Sequence, residues 1–148
     1  MYWMQHTPGR ILKARMDGSS VSAVVSELKK PAGIILDPAS DQLFWLEKTY
    51  KIQSSNRNGA ERRVVLRLPK DTDASGIAVH NGRIYWGNQS ERRLQSCSTY
   101  GEGIQTLYAG KNPIQSVILA TRSPPTVWQV NACGGRVCPG RGDDLYVS

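Results

Sequence analysis

The sequence predicts an all-β fold built from repeated four-stranded units, and three observations carry that expectation. Trp3, Trp45 and Trp86 stand 42 and 41 residues apart, each next to an aromatic or apolar neighbour. Turn residues follow them at fixed offsets. The apolar segments between the turns are short and rich in Val, Ile, Trp and Tyr, which suits strands, and no segment is both long and periodic enough for a helix.

The first element of each unit is an apolar stretch led by a glycine. "PAGIILD" from Pro31 and "ASGIAVH" from Ala74 align on Gly33 and Gly76, 43 residues apart, and "NPIQSVILA" from Asn112 places Ser116 in the same slot 40 residues on. The second element holds the aromatic pair, as in "QLFWLE" from Gln42 and "GRIYWGN" ending at Asn88. The third is marked by Ile11, Ile52 and Leu94, which lie 8, 7 and 8 residues after the tryptophans. A glycine follows each landmark by 7 residues (Gly18, Gly59, Gly101), and the fourth element follows each glycine by 6 (Val24, Val65, Leu107). The Asp17-Gly18 and Asn58-Gly59 pairs supply the positive backbone angles of tight hairpin turns.

A period of about 40 to 45 residues with four strands per unit is the pattern of a β-propeller blade, and such rings close with roughly four to eight blades. Inner strands pack blade against blade. Ile34, Leu36, Phe44, Trp45, Ile77, Val79, Tyr85 and Trp86 are therefore expected in the core. The chain has 148 residues, enough for a sizeable core, with 39% hydrophobic and 21% charged residues, as in a soluble globular protein.

The net charge of +7 arises from 19 basic and 12 acidic residues that are scattered, with doublets only at Lys29-Lys30, Arg62-Arg63 and Arg92-Arg93. A nucleic-acid partner is not expected, because basic residues and stacking aromatics do not share a stripe. The longest apolar runs, such as "VILA" from Val117, fall far short of the ~20 residues that span a bilayer, so direct membrane insertion is not expected either. The N-terminus "MYWMQHTPGR" has neither the charged start nor the apolar core of a signal peptide.

On these residues the chain resembles the YWTD propellers of the low-density lipoprotein receptor family. "PGRILKARMDGSS" is similar to the family's proline, aliphatic, basic-Ala and Asp-Gly-Ser strand, and "KKPAGIILDPASDQLFW" to its Pro-x-Gly-aliphatic, Asp and Leu-Tyr-Trp run. The likeness covers Met1 to about Ala120. It implies about three four-stranded blades of a six-bladed ring, entered halfway through one blade and left on the first strand of another, as in a fragment or a truncated gene model. Thr and Asp of the name motif are replaced by Met4-Gln5, Leu46-Glu47 and Gly87-Asn88. In the family that Asp ties neighbouring strands, and the resemblance implies a partial substitute in Glu47 and Asn88.

Three regions are expected: residues 1–120 as partial propeller, 121–131 as linker, and 132–148 as a truncated epidermal growth factor-like module. The last rests on the likeness of Asn131-Ala132-Cys133 to such a module's opening; six cysteines would complete it, and only Cys133 and Cys138 are present there. Those two are a possible disulfide. Cys97 shares its slot with Ala14 and Ser55, three residues after each aliphatic landmark, which reads as a small buried position.

Catalysis finds no support, since the sequence lacks a glycine-flanked nucleophilic serine, a phosphate-cradling loop and an HExxH. No cofactor is expected. His6 and His80 lack the paired spacing of a metal site, although a pKa near 6.5 would suit acid-triggered ligand release of the kind the resemblance brings to mind. Asn88-Gln89-Ser90 is a glycosylation sequon, of which composition alone yields about 0.9. Arg141-Gly142-Asp143 matches an integrin-binding tripeptide, and coincidence is the preferred reading.

The sequence thus points to a non-enzymatic ligand-binding module of an extracellular receptor, acting in endocytic ligand capture or release or as a Wnt co-receptor. A nidogen-like matrix protein is the alternative. Expected partners are extracellular protein ligands, the remaining blades and the flanking modules. Propeller function sits on rim loops, here Gln5, His6, Glu47, Lys48, Tyr50, Asn88 and Glu91.

Overall fold

The computed structural model describes residues 1–120 and the strand Asp144–Val147. Strands β1 (Tyr2–Gln5), β2 (Arg10–Lys13) and β3 (Ser22–Val25) form a first antiparallel sheet in that order. The second sheet runs β4 (Pro31–Asp37), β5 (Gln42–Glu47), β6 (Lys51–Asn56), β7 (Arg63–Arg67), and the third runs β8 (Ala74–His80), β9 (Arg83–Asn88), β10 (Arg93–Ser98), β11 (Gln105–Ala109). Strand β12 (Val117–Ala120) pairs with β13 (Asp144–Val147). The described residues contain no helix. This is part of a β-propeller.

The repeat read from the sequence is a repeat of registers. Ile34 faces Trp45 across β4 and β5, and Ile77 faces Trp86 across β8 and β9. The third-strand landmarks each mark a β-bulge, since the pairing with the fourth strand shifts between Ile11 and Leu12, Ile52 and Gln53, and Leu94 and Gln95. A bulge adds twist, and three bulges at one repeat position twist each sheet alike. Val117 faces Val147 and Ile118 faces Tyr146, so β13 lies beside β12 in the register of β5 beside β4.

Sheets stack through the turn between their third and fourth strands. Gly59 has φ +87° and lies so close to the preceding sheet that a Cβ there would overlap the carbonyl oxygen of Val24 on β3. Gly101, at φ +88°, makes the same approach to the carbonyl oxygen of Val65 on β7. The constant six-residue offset from each glycine to a fourth-strand aliphatic residue therefore connects two halves of one joint: a turn that docks backward and a strand that receives the next turn.

Between the stacked sheets lie the apolar layers. Leu43 and Trp45 of β5 meet Ile11, Val25 and Leu28 from the first sheet and its linker. Phe44, Leu46 and Ile52 meet Ile77, Val79, Ile84, Trp86 and Cys97 between the second and third. Trp45 and Trp86 are 0% and 1% exposed, each filling the equivalent place in its layer.

Five of the eight expected core residues, Phe44, Trp45, Ile77, Val79 and Trp86, are buried. Ile34, Leu36 and Tyr85 are instead half-buried. The physical reason is the shape of the inner wall. β4, β8 and β12 line an open cavity of about 740 Å³, bounded by Ile34, Leu36, Val79, His80, Val117 and Leu119 among others, and side chains there have packing partners on one side only. Tyr85 packs on the small cluster of Ala78, Leu94, Ile114 and Val117, beyond which, among the described residues, β12 and its linker stand.

The joint predicts unequal costs for two substitutions. Gly59→Ala forces a methyl group into a carbonyl at positive φ and is expected to destabilise the chain by about 4 kcal/mol. Gly82, at φ +72° with nothing within 4 Å of its would-be Cβ, carries the backbone penalty alone, so Gly82→Ala should cost about 1 to 2 kcal/mol. Denaturant unfolding of both variants measures the difference, and equal costs would show that the joint is slack.

Candidate functional site

The loops β1–β2, β5–β6 and β9–β10 and the linkers between sheets lie at one end of the molecule. Their meeting is direct: Lys48 N donates to Lys30 O at 2.9 Å, and Gln89 N donates to Asp73 O at 2.8 Å. Each of these loops begins at the last residue of a second strand, Gln5, Glu47 or Asn88, and those three residues organise it.

Glu47 is 3% exposed. One carboxylate oxygen accepts from Lys29 N at 3.1 Å and Thr49 Oγ1 at 3.2 Å; the other accepts from Trp45 Nε1 and Arg62 Nη2, both at 3.4 Å, and from Gln53 Nε2. The Arg62 guanidinium also stacks on the Trp45 ring at 5.6 Å and donates to Ser26 O at 3.0 Å. One buried carboxylate thus ties β5, β6, the β7 approach and the linker from the previous sheet.

Asn88 makes a smaller version of this knot. Its Oδ1 accepts from Ser90 Oγ at 3.0 Å and Glu91 N at 3.1 Å, while Nδ2 donates to Gln95 Oε1 at 3.3 Å. Trp86 Nε1, in the place of the Trp45 nitrogen, is buried without a hydrogen-bond partner, because the shorter amide replaces the glutamate. Gln5 accepts from Arg10 Nε at 2.7 Å and donates to Thr7 O at 3.3 Å.

The expectation of seven rim residues is corrected here for two of them. Glu47 and Asn88, 3% and 2% exposed, face their own blades, because a polar group ending a strand inside a packed layer must find its partners there. The sequon asparagine is correspondingly not on an exposed turn, and its amide nitrogen is engaged with Gln95. Tyr50 is half-buried at φ 64° and packs against the core between the second and third sheets. His6, Lys48 and Glu91 are exposed and Gln5 is half-buried.

Lys48 belongs to a cleft of about 260 Å³ that Lys30, Tyr50, Asp71, Thr72 and Asp73 also line. Lys48 Nζ stands 3.5 Å from Asp73 Oδ1, with both side chains about half exposed. Such a pair contributes at most about 1 kcal/mol to stability, so its charges are available to a partner at little structural cost. Lys30, Asp71 and Asp73 were missed in the sequence, where they sit in linkers whose meeting with the β5–β6 loop depends on blade stacking.

Cys97 is fully buried between the sheets, and burial pushes its thiol up to about 11. Its slot mates differ: Ser55 is buried and Ala14 is half-buried. His6 and His80 stand on different elements, and among the described residues no three His, Cys, Asp or Glu side chains gather as a metal-binding group. Asn131, Cys133, Cys138 and Arg141-Gly142-Asp143 lie outside the described residues.

Residues 1–38 match the family model of the low-density lipoprotein receptor repeat class B. That match covers about a quarter of the chain, which over those residues is similar to a class B repeat. Among curated proteins, the chain is 32% identical to Protein cueball of Drosophila yakuba over 103 residues, which is 65% of this chain and 16% of cueball. It is 29% identical to the vitellogenin receptor of Solenopsis invicta over 121 residues, 79% of this chain and 7% of that receptor. The chain therefore spans less than a fifth of the length of either relative. Its fold is similar to that of a chain in the crystal structure of a nidogen/laminin complex, with a TM-score of 0.70 and 20% identity, covering 78% of this chain and 46% of that one.

The Glu47 knot predicts that Glu47→Ala destabilises the protein by about 3 to 5 kcal/mol, since it strands the buried partners of a carboxylate; thermal unfolding tests this. For Cys97 the sign follows from its raised pKa. Unfolding releases the thiol's proton more readily, so the stability it contributes is whole below about pH 9 and is lost as pH rises toward about 11. A thiol reagent at pH 8 should leave Cys97 unmodified in the native protein and modify it fully in denaturant.

Proposed function

We propose that this chain is the ligand-contacting part of an extracellular receptor propeller, and that the partner is a protein engaged through the loop end between the second and third sheets. The charged cleft of Lys30, Lys48, Asp71 and Asp73 carries the reading. It offers separated charges of both signs on a rigid double-sheet scaffold, which suits protein recognition and electrostatic steering rather than a reaction. No catalytic step is proposed. The finer role is endocytic capture and release of a ligand, or co-reception of a Wnt signal, and the relation to a vitellogenin receptor favours capture of a large extracellular cargo.

A matrix role is the second reading, favoured by the fold's likeness to a chain of the nidogen/laminin complex. Surface plasmon resonance with purified vitellogenin and purified laminin separates the two. Binding of vitellogenin supports the receptor reading and binding of laminin the matrix one. In either case Lys48→Glu should weaken the interaction at least tenfold with an unchanged melting temperature, because the lysine stands clear of the core. Unchanged affinity in that variant would move the interface away from this cleft.

A further inference from the structure

Two asparagines in the chain are followed by glycine, Asn58 and Asn81. That dipeptide carries a chemistry of its own, because a glycine nitrogen unhindered by a side chain can attack the asparagine's side-chain carbonyl carbon. Both asparagines are exposed, so access to water does not separate them. What separates them is whether the attacking nitrogen is engaged and whether its peptide has room to turn.

At the first pair it is engaged on every side. Gly59 N donates to Asn56 O at 3.0 Å, and Asn58 N donates to Asn56 Oδ1 at 3.0 Å. Asn58 Oδ1 accepts from Lys13 Nζ of the first sheet, also at 3.0 Å. Gly59 itself is lodged against the Val24 carbonyl. Attack there requires the turn to open and the sheets to part.

The second pair is the two-residue turn between β8 and β9, with Asn81 at φ 47° and Gly82 at φ +72°. Among the described residues neither the Asn81 side chain nor Gly82 N makes a hydrogen bond. Nothing lies within 4 Å of Gly82's would-be Cβ, so the peptide between the two residues can rotate without displacing a neighbour. The one hydrogen bond at Gly82, from Thr99 N to its carbonyl oxygen at 2.9 Å, belongs to the following peptide.

We propose that Asn81-Gly82 is a self-modification site, at which the chain converts its own asparagine amide to an aspartyl or isoaspartyl linkage with water as the only co-reactant. Gly82 N loses its proton and bonds to Asn81 Cγ; the Cγ–Nδ2 bond breaks, and the amide nitrogen leaves as ammonia. Water then opens the cyclic imide and returns a proton to Gly82 N. Opening at Cγ gives aspartate, whereas opening at the backbone carbonyl routes the main chain through Cγ and lengthens it by one methylene. The turn has no slack for that carbon, since His80 lies directly opposite Arg83. The Gly82 carbonyl is displaced from Thr99, whose turn holds Gly101 against the Val65 carbonyl. The modification therefore loosens the junction between the second and third sheets, and it accumulates with the age of the molecule.

The test is incubation of the full chain at about pH 8 and 37 °C, followed by peptide mapping that resolves asparagine, aspartate and isoaspartate. A hydrogen-bonded nitrogen reacts only from locally opened states, so conversion at Asn81 should run at least about tenfold faster than at Asn58 in the native protein. In denaturant the two rates should converge. The aged protein should unfold at a lower denaturant concentration than the fresh one, while Asn81→Gln, which would have to close a larger ring, should unfold alike before and after ageing. Freshly prepared Asn81→Asp, which has the charge without the extra main-chain carbon, should keep the unfolding midpoint of the fresh protein. The proposal is overturned by equal native rates at the two sites, or by a rate difference that persists in denaturant. It is equally overturned by an unchanged midpoint in aged protein, by the same loss in aged Asn81→Gln, or by an Asn81→Asp midpoint already as low as that of aged protein.

Discussion

The contact on which the whole architecture depends is a glycine laid against a carbonyl. At Gly59 and Gly101 the turn between third and fourth strands comes so near the preceding sheet that no side chain fits. That approach sets the distance between neighbouring sheets, and the distance decides what fills the gap: one tryptophan per layer, Trp45 or Trp86, with aliphatic residues around it. Positive φ and close approach are demanded at the same atom, so glycine is required twice over.

With the sheets so placed, polar groups at strand ends are enclosed by the stacking and must be satisfied locally. Glu47 answers with five donors and Asn88 with three contacts, and the difference is felt at the indole nitrogens, one bonded and one not. The two blades thus share geometry while differing in polar completeness. The loops beyond those knots are not enclosed by the stacking, and the accessible charges lie there, at Lys48, Asp71 and Asp73, rather than at the motif positions.

Much of the fold was legible in the sequence because its constraints are local and periodic. The offsets from landmark to glycine to aliphatic residue report a bulge, a turn and a docking strand, all within one hairpin and its neighbour. The inner wall was less legible: Ile34 and Leu36 alternate as core residues do, but their exposure depends on what lies across the open cavity, which no local pattern encodes. The site was less legible still. Glu47 and Asn88 look like loop residues by their position after the aromatic pair, and only blade stacking turns them inward. Lys30, Asp71 and Asp73 gain their meaning from linkers meeting at one end, a relation between segments about 40 residues apart.

Because each glycine joint reaches only the adjoining sheet, the length of one period is fixed by the joint itself. A segment running from one glycine to the next carries a complete turn and a complete receiving strand, so only a change of one whole period keeps each turn on its own strand face, and such a change also alters the number of blades that must close the ring. A cut at any other length would pair a turn with the wrong strand face. Small insertions within a period are therefore expected to be the costly ones, and the spacing between Gly59 and Gly101, 42 residues, is the unit over which the joint repeats.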